Sequence, residues 1–227
     1  MKKLFVIAFV FILHNQISAQ IGLSATYRSN QASDWKLTNV LSGEEVNLLG
    51  DGLAYGVDYW FRLKQARIEF LPELNFAQFK QSTDVTGAAN TKVNYLSFFF
   101  NTNLYFLDFF SDCDCPTFSK QSNLLARGLF LQLSPGASRL DQSIDFLEQT
   151  ETVSAWSFSL GAVLGYDFVF SNFITVTPQV GARYYLATSW DSLSNINAGI
   201  KEWEVASEES TLLQFYAGLR LGVRFYE

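Results

Sequence analysis

Apolar and polar side chains alternate with a period of two through most of this 227-residue chain. Between residues 53 and 63 the odd positions are Leu, Tyr, Val, Tyr, Phe and Leu, whereas the even positions include Asp58 and Arg62. Successive side chains of a β-strand point to opposite faces, so this tract predicts a strand with one apolar and one mixed polar face. No segment after residue 20 keeps the 3.6-residue spacing of an amphipathic helix over several turns. The pattern therefore predicts an all-β fold.

The alternation predicts eight strands. Their approximate ranges are 21–29, 53–63, 67–79, 93–107, 127–138, 154–169, 174–187 and 211–226. The connections are predicted to be short after the second and sixth strands and long after the first, fifth and seventh. Short turns at one end and long loops at the other are typical of a bacterial outer-membrane barrel. We therefore predict an eight-stranded antiparallel transmembrane β-barrel located in the cell outer membrane.

Strand length and glycine placement favour a membrane barrel over a soluble β-sandwich. The alternating tracts run over about 11 to 16 residues, longer than the roughly 5 or 6 of soluble strands and enough for a tilted membrane strand. Nine glycines fall on the polar face by parity, where they would make room inside a narrow barrel. They are Gly22, Gly56, Gly128, Gly136, Gly161, Gly165, Gly181, Gly218 and Gly222.

Three prolines lie within the predicted strands, on the apolar face. They are Pro72, Pro135 and Pro178. Each removes one hydrogen bond from a strand ladder because proline has no backbone N–H. We expect a β-bulge at each of these positions.

The first twenty residues have the layout of a cleavable secretory signal. Lys2 and Lys3 precede an apolar run, and Ile-Ser-Ala at positions 17–19 ends the stretch. The run is shorter than the roughly 20 apolar residues that span a bilayer, which disfavours a membrane anchor. The predicted domains are a signal peptide at 1–20 and a single barrel at 21–227.

Several functional classes become less probable once the signal is removed. The only histidine, His14, lies within it, so histidine-based nucleophile activation and histidine metal sites are not expected. Without Lys2 and Lys3, 14 basic and 22 acidic residues remain, a net charge of −8, which disfavours a nucleic-acid partner. We expect no enzymatic activity, no catalytic residues, no cofactor and no metal site.

Charged residues are threaded along the predicted inward face. An eight-stranded barrel is just wide enough for side chains to fill it, so these charges are predicted to pair across the lumen in place of an apolar core. The alternative is a narrow pore for small solutes or ions. The predicted polar network comprises Arg28, Asp58, Arg62, Arg67, Glu69, Glu73, Asp167, Arg183, Arg220 and Arg224.

The segment 110–123 is a long connection where a short periplasmic turn is expected, and it contains both cysteines, Cys113 and Cys115. In an oxidising compartment a local disulfide would stiffen the loop. Two thiolates fall short of the four ligands of a usual soft-metal site. The length of the loop also suggests docking of a periplasmic or outer-membrane protein partner.

The predicted extracellular loops carry most of the acidic residues. A solvated surface explains them, and a divalent-cation bridge to lipopolysaccharide is a second use of such carboxylates. Outer-membrane lipid and lipopolysaccharide are thus the expected surroundings of the barrel.

Several tracts resemble an outer-membrane β-barrel family of Bacteroidota that includes PorT-like small barrels. They are VNYLSFFFNTNLYF, LGAVLGYDFVFSNFITVTPQVGARYY and the closing GLRLGVRFYE. The last strand, with Phe225 and Tyr226, resembles the signal that the barrel-assembly machinery reads during insertion. The resemblance implies a structural or accessory subunit of a type IX secretion or outer-membrane assembly complex.

Overall fold

The computed structural model describes residues 20–63, 67–82, 90–107, 128–146, 149–171, 173–194 and 203–224. Over these ranges the strands are β1 (Gln20–Ala32), β2 (Lys36–Asn39), β3 (Glu45–Asn47), β4 (Gly52–Arg62), β5 (Ile68–Gln81), β6 (Asn90–Leu104), β7 (Leu129–Phe146), β8 (Gln149–Tyr166), β9 (Phe168–Val169), β10 (Ile174–Ser189), β11 (Trp203–Val205) and β12 (Glu209–Arg224). None of the described residues form a helix long and apolar enough to cross a membrane.

Eight long strands in the described part of the chain form a closed antiparallel barrel, which confirms the predicted fold. Around the wall the order is β1, β4, β5, β6, β7, β8, β10 and β12. The barrel closes because β12 pairs with β10 on one side and with β1 on the other. Each strand therefore has a hydrogen-bonded neighbour on both sides over part of its length, as a membrane-spanning sheet requires.

Side chains alternate strictly between the interior and the outer wall. In β1, Gly22 and Ser24 are buried, whereas Ile21 and Leu23 are 43% and 53% exposed. The outward set is made of large apolar residues such as Leu160 and Leu219. Exposed apolar side chains in this number suit a lipid-facing surface. The residues that face the interior are thus those that the alternation in the sequence predicts.

The connection after β7 differs from the prediction. The sequence indicated a long loop over about 139–153, but β7 and β8 remain paired up to Phe146 and Gln149. The outward positions of this segment include Arg139, Asp141 and Ser143. The segment was taken for a loop because its outward face is polar. Beyond the apolar band, however, a strand no longer needs lipid-compatible side chains.

The three strand prolines do not produce bulges, so that expectation was wrong. At Pro72 the pairs between β4 and β5 stop at Asp58–Glu73 and resume at Phe61–Phe70 in the same register. Equivalent gaps without a register shift lie beside Pro135, between β6 and β7, and beside Pro178, between β10 and its neighbours β8 and β9. Each proline interrupts one ladder without inserting a residue.

The two ends of the barrel are built differently. We call the end near residues 20 and 224 the terminal rim and the opposite end the loop rim. At the loop rim β11, β2 and β3 form a separate three-stranded sheet, which we call the cap. Trp35 and Trp190, which flank the cap strands in sequence, are fully buried below it. Long segments at one rim are the extracellular arrangement of outer-membrane barrels.

Some predicted features lie outside the described residues. They are the signal peptide up to residue 19, the loop with Cys113 and Cys115, and the terminal Phe225 and Tyr226.

Candidate functional site

The interior of the barrel is the candidate site, because most of the predicted polar residues converge there. Near the terminal rim, Arg220 on β12 donates two hydrogen bonds to Asp58 on β4, with Nε–Oδ2 and Nη2–Oδ1 distances of 2.7 and 2.6 Å. Both side chains are buried. This bidentate geometry is the strongest form of an arginine–carboxylate contact. It links two strands that β1 separates in the wall.

Glycines make room for this ion pair. A Cβ atom at Gly22 would collide with the Asp58 carboxylate and the Arg220 guanidinium. A Cβ at Gly56 would collide with the Glu73 carboxylate and the Ser24 hydroxyl. The inward glycines therefore allow charged side chains to cross a lumen that would otherwise be too narrow.

A second group surrounds Glu69 at the terminal rim. Its Oε2 atom accepts hydrogen bonds from Trp60 Nε1 at 2.7 Å and Tyr105 Oη at 2.8 Å. Arg224 lies over the Trp60 ring at 5.2 Å, and Arg67 lies over the Tyr105 ring at 4.4 Å. Each aromatic side chain that donates a hydrogen bond to Glu69 thus also makes a cation–π contact with an arginine.

Asp167 joins this group from the turn after β8. Its Oδ2 atom lies 2.5 Å from Tyr105 Oη, and its Oδ1 atom accepts a hydrogen bond from the Thr177 hydroxyl. Tyr105 has one hydroxyl proton and two carboxyl partners, Glu69 and Asp167, so it can donate to only one of them at a time. This shared phenol connects β5, the end of β6 and the turn after β8.

A third group, halfway along the lumen, centres on Glu73. This carboxylate accepts from Ser24 Oγ at 2.9 Å, Asn75 Nδ2 at 2.9 Å and Asn101 Nδ2 at 2.7 Å. Asn75 in turn accepts from Arg28 Nη2 at 2.8 Å. Asn101 accepts from the Ser134 hydroxyl, to which an arginine of β10 donates. A chain of hydrogen bonds through two neutral amides thus connects the Glu73 carboxylate with two guanidinium groups. We call this chain the Glu73 relay.

The second of those guanidiniums belongs to Arg183. It donates to the Ser134 carbonyl oxygen at 3.0 Å and to Ser159 Oγ at 3.1 Å. Its Cζ atom lies 3.6 Å from the centre of the Phe99 ring, and Arg28 lies 5.8 Å from the same ring. In the described part of the chain neither arginine has a carboxylate within salt-bridge distance.

Toward the loop rim the interior becomes apolar, which corrects the expectation that charges replace an apolar core. Trp35 and Trp190 pack edge to face with ring centres 5.2 Å apart. Inward residues of the wall and residues of the returning loops pack around them. We call this cluster the plug; its other members are Ala32, Leu37, Leu48, Leu49, Ala54, Ala77, Phe79, Val93, Tyr95, Leu140, Ile144, Tyr185, Leu193, Val205 and Leu212.

The predicted polar residues can now be placed individually. Arg28, Asp58, Glu69, Arg183 and Arg220 are buried in the interior, and Glu73, Arg67, Asp167 and Arg224 are partly buried there. Arg62 differs from the prediction. It has inward parity, but it is the last residue of β4 and its side chain is exposed at the terminal rim.

The sequence reasoning missed the neutral partners. Asn75, Asn101 and Ser134 belong to the Glu73 relay, and Trp60 and Tyr105 bind Glu69. All five have inward parity, so the same alternation could have identified them. They are absent from the predicted network because that network contains only charged side chains.

The described residues also bear on metal binding and on surface pockets. Among them, no three acidic, histidine or cysteine side chains come together as a metal site. A groove of about 780 Å³ lies on the wall, and its lining includes the outward-facing Leu23, Tyr55, Val57, Phe76 and Leu219. Most of its lining faces lipid, and the inward residues Ser24, Gly56, Asn75 and Arg220 also contribute to it.

Comparison with known proteins assigns the chain to a family. The family model described as autotransporter beta-domain matches residues 74–227, more than half of the chain. A search of curated proteins found no match.

Solved structures of small outer-membrane proteins are similar over most of the chain. Ail of Yersinia pestis, solved with a heparin analogue, has a TM-score of 0.45 and 13% identity, covering 92% of this chain and 100% of Ail. The outer membrane protease OmpT of Escherichia coli has a TM-score of 0.44 and 8% identity, covering 91% and 96%. Neisserial surface protein A has a TM-score of 0.43 and 12% identity, covering 92% and 97%.

Proposed function

The chain belongs to the autotransporter beta-domain family and lies in the outer membrane, and we propose that it is a non-enzymatic structural or accessory subunit that does not conduct solutes. The observation that carries this proposal is the filled interior. The Asp58–Arg220 pair crosses the lumen near one rim, and the plug around Trp35 fills it near the other. The interior of an eight-stranded barrel is just wide enough for side chains to fill it or for one small ligand.

The loop rim offers a surface for a protein partner. Pairing between β8 and β10 ends at Ser159 and Tyr185. In the described structure, residues 149–156 of β8 are therefore paired with β7 alone. An unpaired strand edge can accept an extended segment of another protein through backbone hydrogen bonds. The β7–β8 hairpin is thus the interaction surface of this proposal.

The partner class that we propose is a secretion or assembly complex of the outer membrane, of which type IX secretion is the first to examine. This choice follows the strand tracts that resemble Bacteroidota small barrels. The segment 110–123, which follows β6 in sequence, is a second proposed contact.

The test is purification of the tagged protein from native outer membranes in mild detergent. We expect a stoichiometric secretion or assembly complex to co-purify. In the matched variant, Asn-Gly replaces residues 143–152, so that a tight turn follows Gln142 directly. β7 keeps its pairing with β6 and β8 up to Gln142, and the variant loses the three β6–β7 pairs at residues 90–92 together with Ile144 of the plug. Loss of the partner from this variant alone would support docking on the hairpin. Purification of both proteins as lone monomers would refute the accessory role.

Conductance distinguishes the alternative, a narrow pore. We expect no resolvable conductance steps when the wild-type protein is reconstituted in planar bilayers. The combined substitution of Trp35 and Trp190 by alanine serves as a comparison, because it empties the centre of the plug. Steady conductance of the wild-type protein would favour the pore and contradict the filled lumen.

A further inference from the structure

Where the Glu73 relay meets the plug, four buried hydrogen-bond donors have no partner among the described residues, and two of them, on Tyr95 and Tyr185, belong to the plug itself. They are Arg28 Nε, Gln214 Nε2, Tyr95 Oη and Tyr185 Oη. All four side chains are buried: Gln214, Tyr95 and Tyr185 have 0% exposure and Arg28 has 4%. Buried polar groups in folded proteins almost always have a partner. Asn30 Oδ1, on the residue opposite Gln214, is a buried acceptor that also lacks a partner among the described residues. The four donors outnumber this acceptor, and the excess indicates a ligand that accepts hydrogen bonds.

Contacts and register place the four donors together. Arg28 Nη1 donates to Gln214 Oε1 at 3.4 Å, which leaves the amide nitrogen of Gln214 as its free end. Gln214 is paired with Arg183, and Tyr185 lies two residues further along the same inward face of β10. The rings of Tyr185 and Tyr95 are 5.8 Å apart, centre to centre.

The charge of this region is positive. Arg28 and Arg183 both lie near the Phe99 ring, and Glu73 is the one carboxylate to which their hydrogen bonds lead. Its two oxygens already accept three hydrogen bonds from Ser24 and the relay amides. Two cations thus share one carboxylate, in a place where buried charges normally have partners.

We propose that Arg28, Gln214, Tyr95 and Tyr185 form a binding site for a small inorganic anion of the halide class, enclosed halfway along the barrel. Arg28 Nε and Gln214 Nε2 can only donate, so their ligand must accept. An anion also balances the excess positive charge, which a neutral water molecule does not. The rest of the plug lies on one side of the site and the Asp58–Arg220 pair lies on the other, and this filled lumen favours a small ion.

Bromide identifies the ion directly, because it matches chloride in charge and scatters anomalously. Crystals grown in bromide should show one interior anomalous peak within hydrogen-bonding distance of Arg28 Nε and the two tyrosine hydroxyls. Diffraction data that show water at these donors and no anomalous peak would overturn the proposal.

Stability provides an independent readout in solution. The wild-type protein is refolded in chloride or in gluconate at equal ionic strength, and the unfolding midpoint is measured by the heat-induced mobility shift on gels. A bound ion stabilises the folded state, so we expect the midpoint to be at least about 3 °C higher in chloride. Equal midpoints in the two salts would exclude a site for halide.

Variants assign that shift to the four donors. Tyr185→Phe and the double change Tyr95→Phe with Tyr185→Phe keep the ring packing but remove donors, and the chloride shift should shrink by half or more. Arg28→Met should abolish it, although loss of the Asn75 contact can also impair folding, so the phenylalanine variants carry the test. The control is Tyr184→Phe, because Tyr184 faces outward. A full chloride shift in the double variant would locate the effect on the surface and refute the proposal.

Discussion

In the terminal half of the interior, Asp58 binds Arg220 and Glu69 accepts from Trp60, whereas in the loop half Trp35 packs on Trp190 among apolar side chains. Both halves are enclosed by the same eight strands. They differ in what else enters the barrel. The terminal half is filled by side chains of the wall and of Tyr105 and Asp167 just beyond it, while the loop half also receives residues from the chain between β1 and β4 and after β10.

This difference explains the two chemistries. Wall residues reach the barrel axis only if they are long, and long polar side chains satisfy one another across the lumen through hydrogen bonds. A returning loop can instead bring large rings to the axis, where burial of apolar surface stabilises the loop itself. The plug therefore has a second role, since it fixes the cap to the barrel.

Trp35→Ala should have the largest effect on stability. The ring is fully buried against Trp190, and its Nε1 atom donates to the Glu208 carbonyl at 3.1 Å. Removing it should cost about 3–5 kcal/mol, because a cavity remains in a packed core. The free energy of unfolding is measured in urea with the protein in detergent micelles.

The comparison for that change is Trp156→Ala on the outer wall. Trp156 is 70% exposed, so its loss should cost much less. Equal costs for the two tryptophans would show that the plug contributes little beyond its lipid-facing counterpart.

Asp58→Asn tests the terminal half and should cost about 3 kcal/mol. The change leaves the Arg220 charge buried opposite a neutral amide, and breaking a buried ion pair from one side is strongly destabilising. Urea unfolding again gives the free energy. The double variant Asp58→Leu with Arg220→Met removes both charges and should lie closer to the wild-type protein. If the double variant were less stable than Asp58→Asn, the ion pair would be a net stabilising interaction.

Gly22→Ala should destabilise the barrel by about 2 kcal/mol. The added methyl group would overlap the Asp58 carboxylate, which accepts two hydrogen bonds from Arg220. The ion pair must therefore shift. Ala25→Val is the matched change on the outer face of the same strand, and it should alter stability by less than about 0.5 kcal/mol. A similar cost for both would mean that strand propensity, not lumen space, determines the effect.

The alternation of apolar and polar residues was sufficient to predict the fold and the inward-facing residues of the terminal half. Strands that face lipid on one side keep their apolar residues at every second position, and Asp58 and Arg220 stand out between them. The plug could not be predicted this way. Trp35, Leu48 and Trp190 lie in segments without alternation, and only the return of the loops into the barrel shows that they are buried.

Arg62 and the β7–β8 hairpin show the same limit at the strand ends. Parity indicates which face a residue occupies but not how far along the barrel axis it lies. Arg62 therefore lies on the predicted inward face, but at the terminal rim and not within the lumen. The polar residues after Ser138 have the alternation of a strand but lack the apolar face that marks the membrane.

The exposed pair at the loop rim should show the smallest effect. Arg139 and Asp141 form a salt bridge of 3.0 Å on the hairpin, and Ser154 Oγ donates to Asp141 at 2.6 Å. The Ser154 hydroxyl, and then the Arg139 guanidinium, hold the pKa of Asp141 below its ordinary value of 3.8, against a partial desolvation that raises it. Because the folded-state pKa is the lower one, the stabilisation is complete above about pH 5 and is lost as the pH falls through that folded value.

Asp141→Asn should therefore change stability by only about a few tenths of a kcal/mol at neutral pH, since water screens an exposed pair. Hydrogen exchange of the hairpin amides, measured at neutral pH and at about pH 3, should show faster local opening in acid for the wild-type protein and little further change for the variant. A loss at neutral pH as large as that of Asp58→Asn would mean that the hairpin pair is shielded from water. The contrast between buried and exposed ion pairs would then not hold for this barrel.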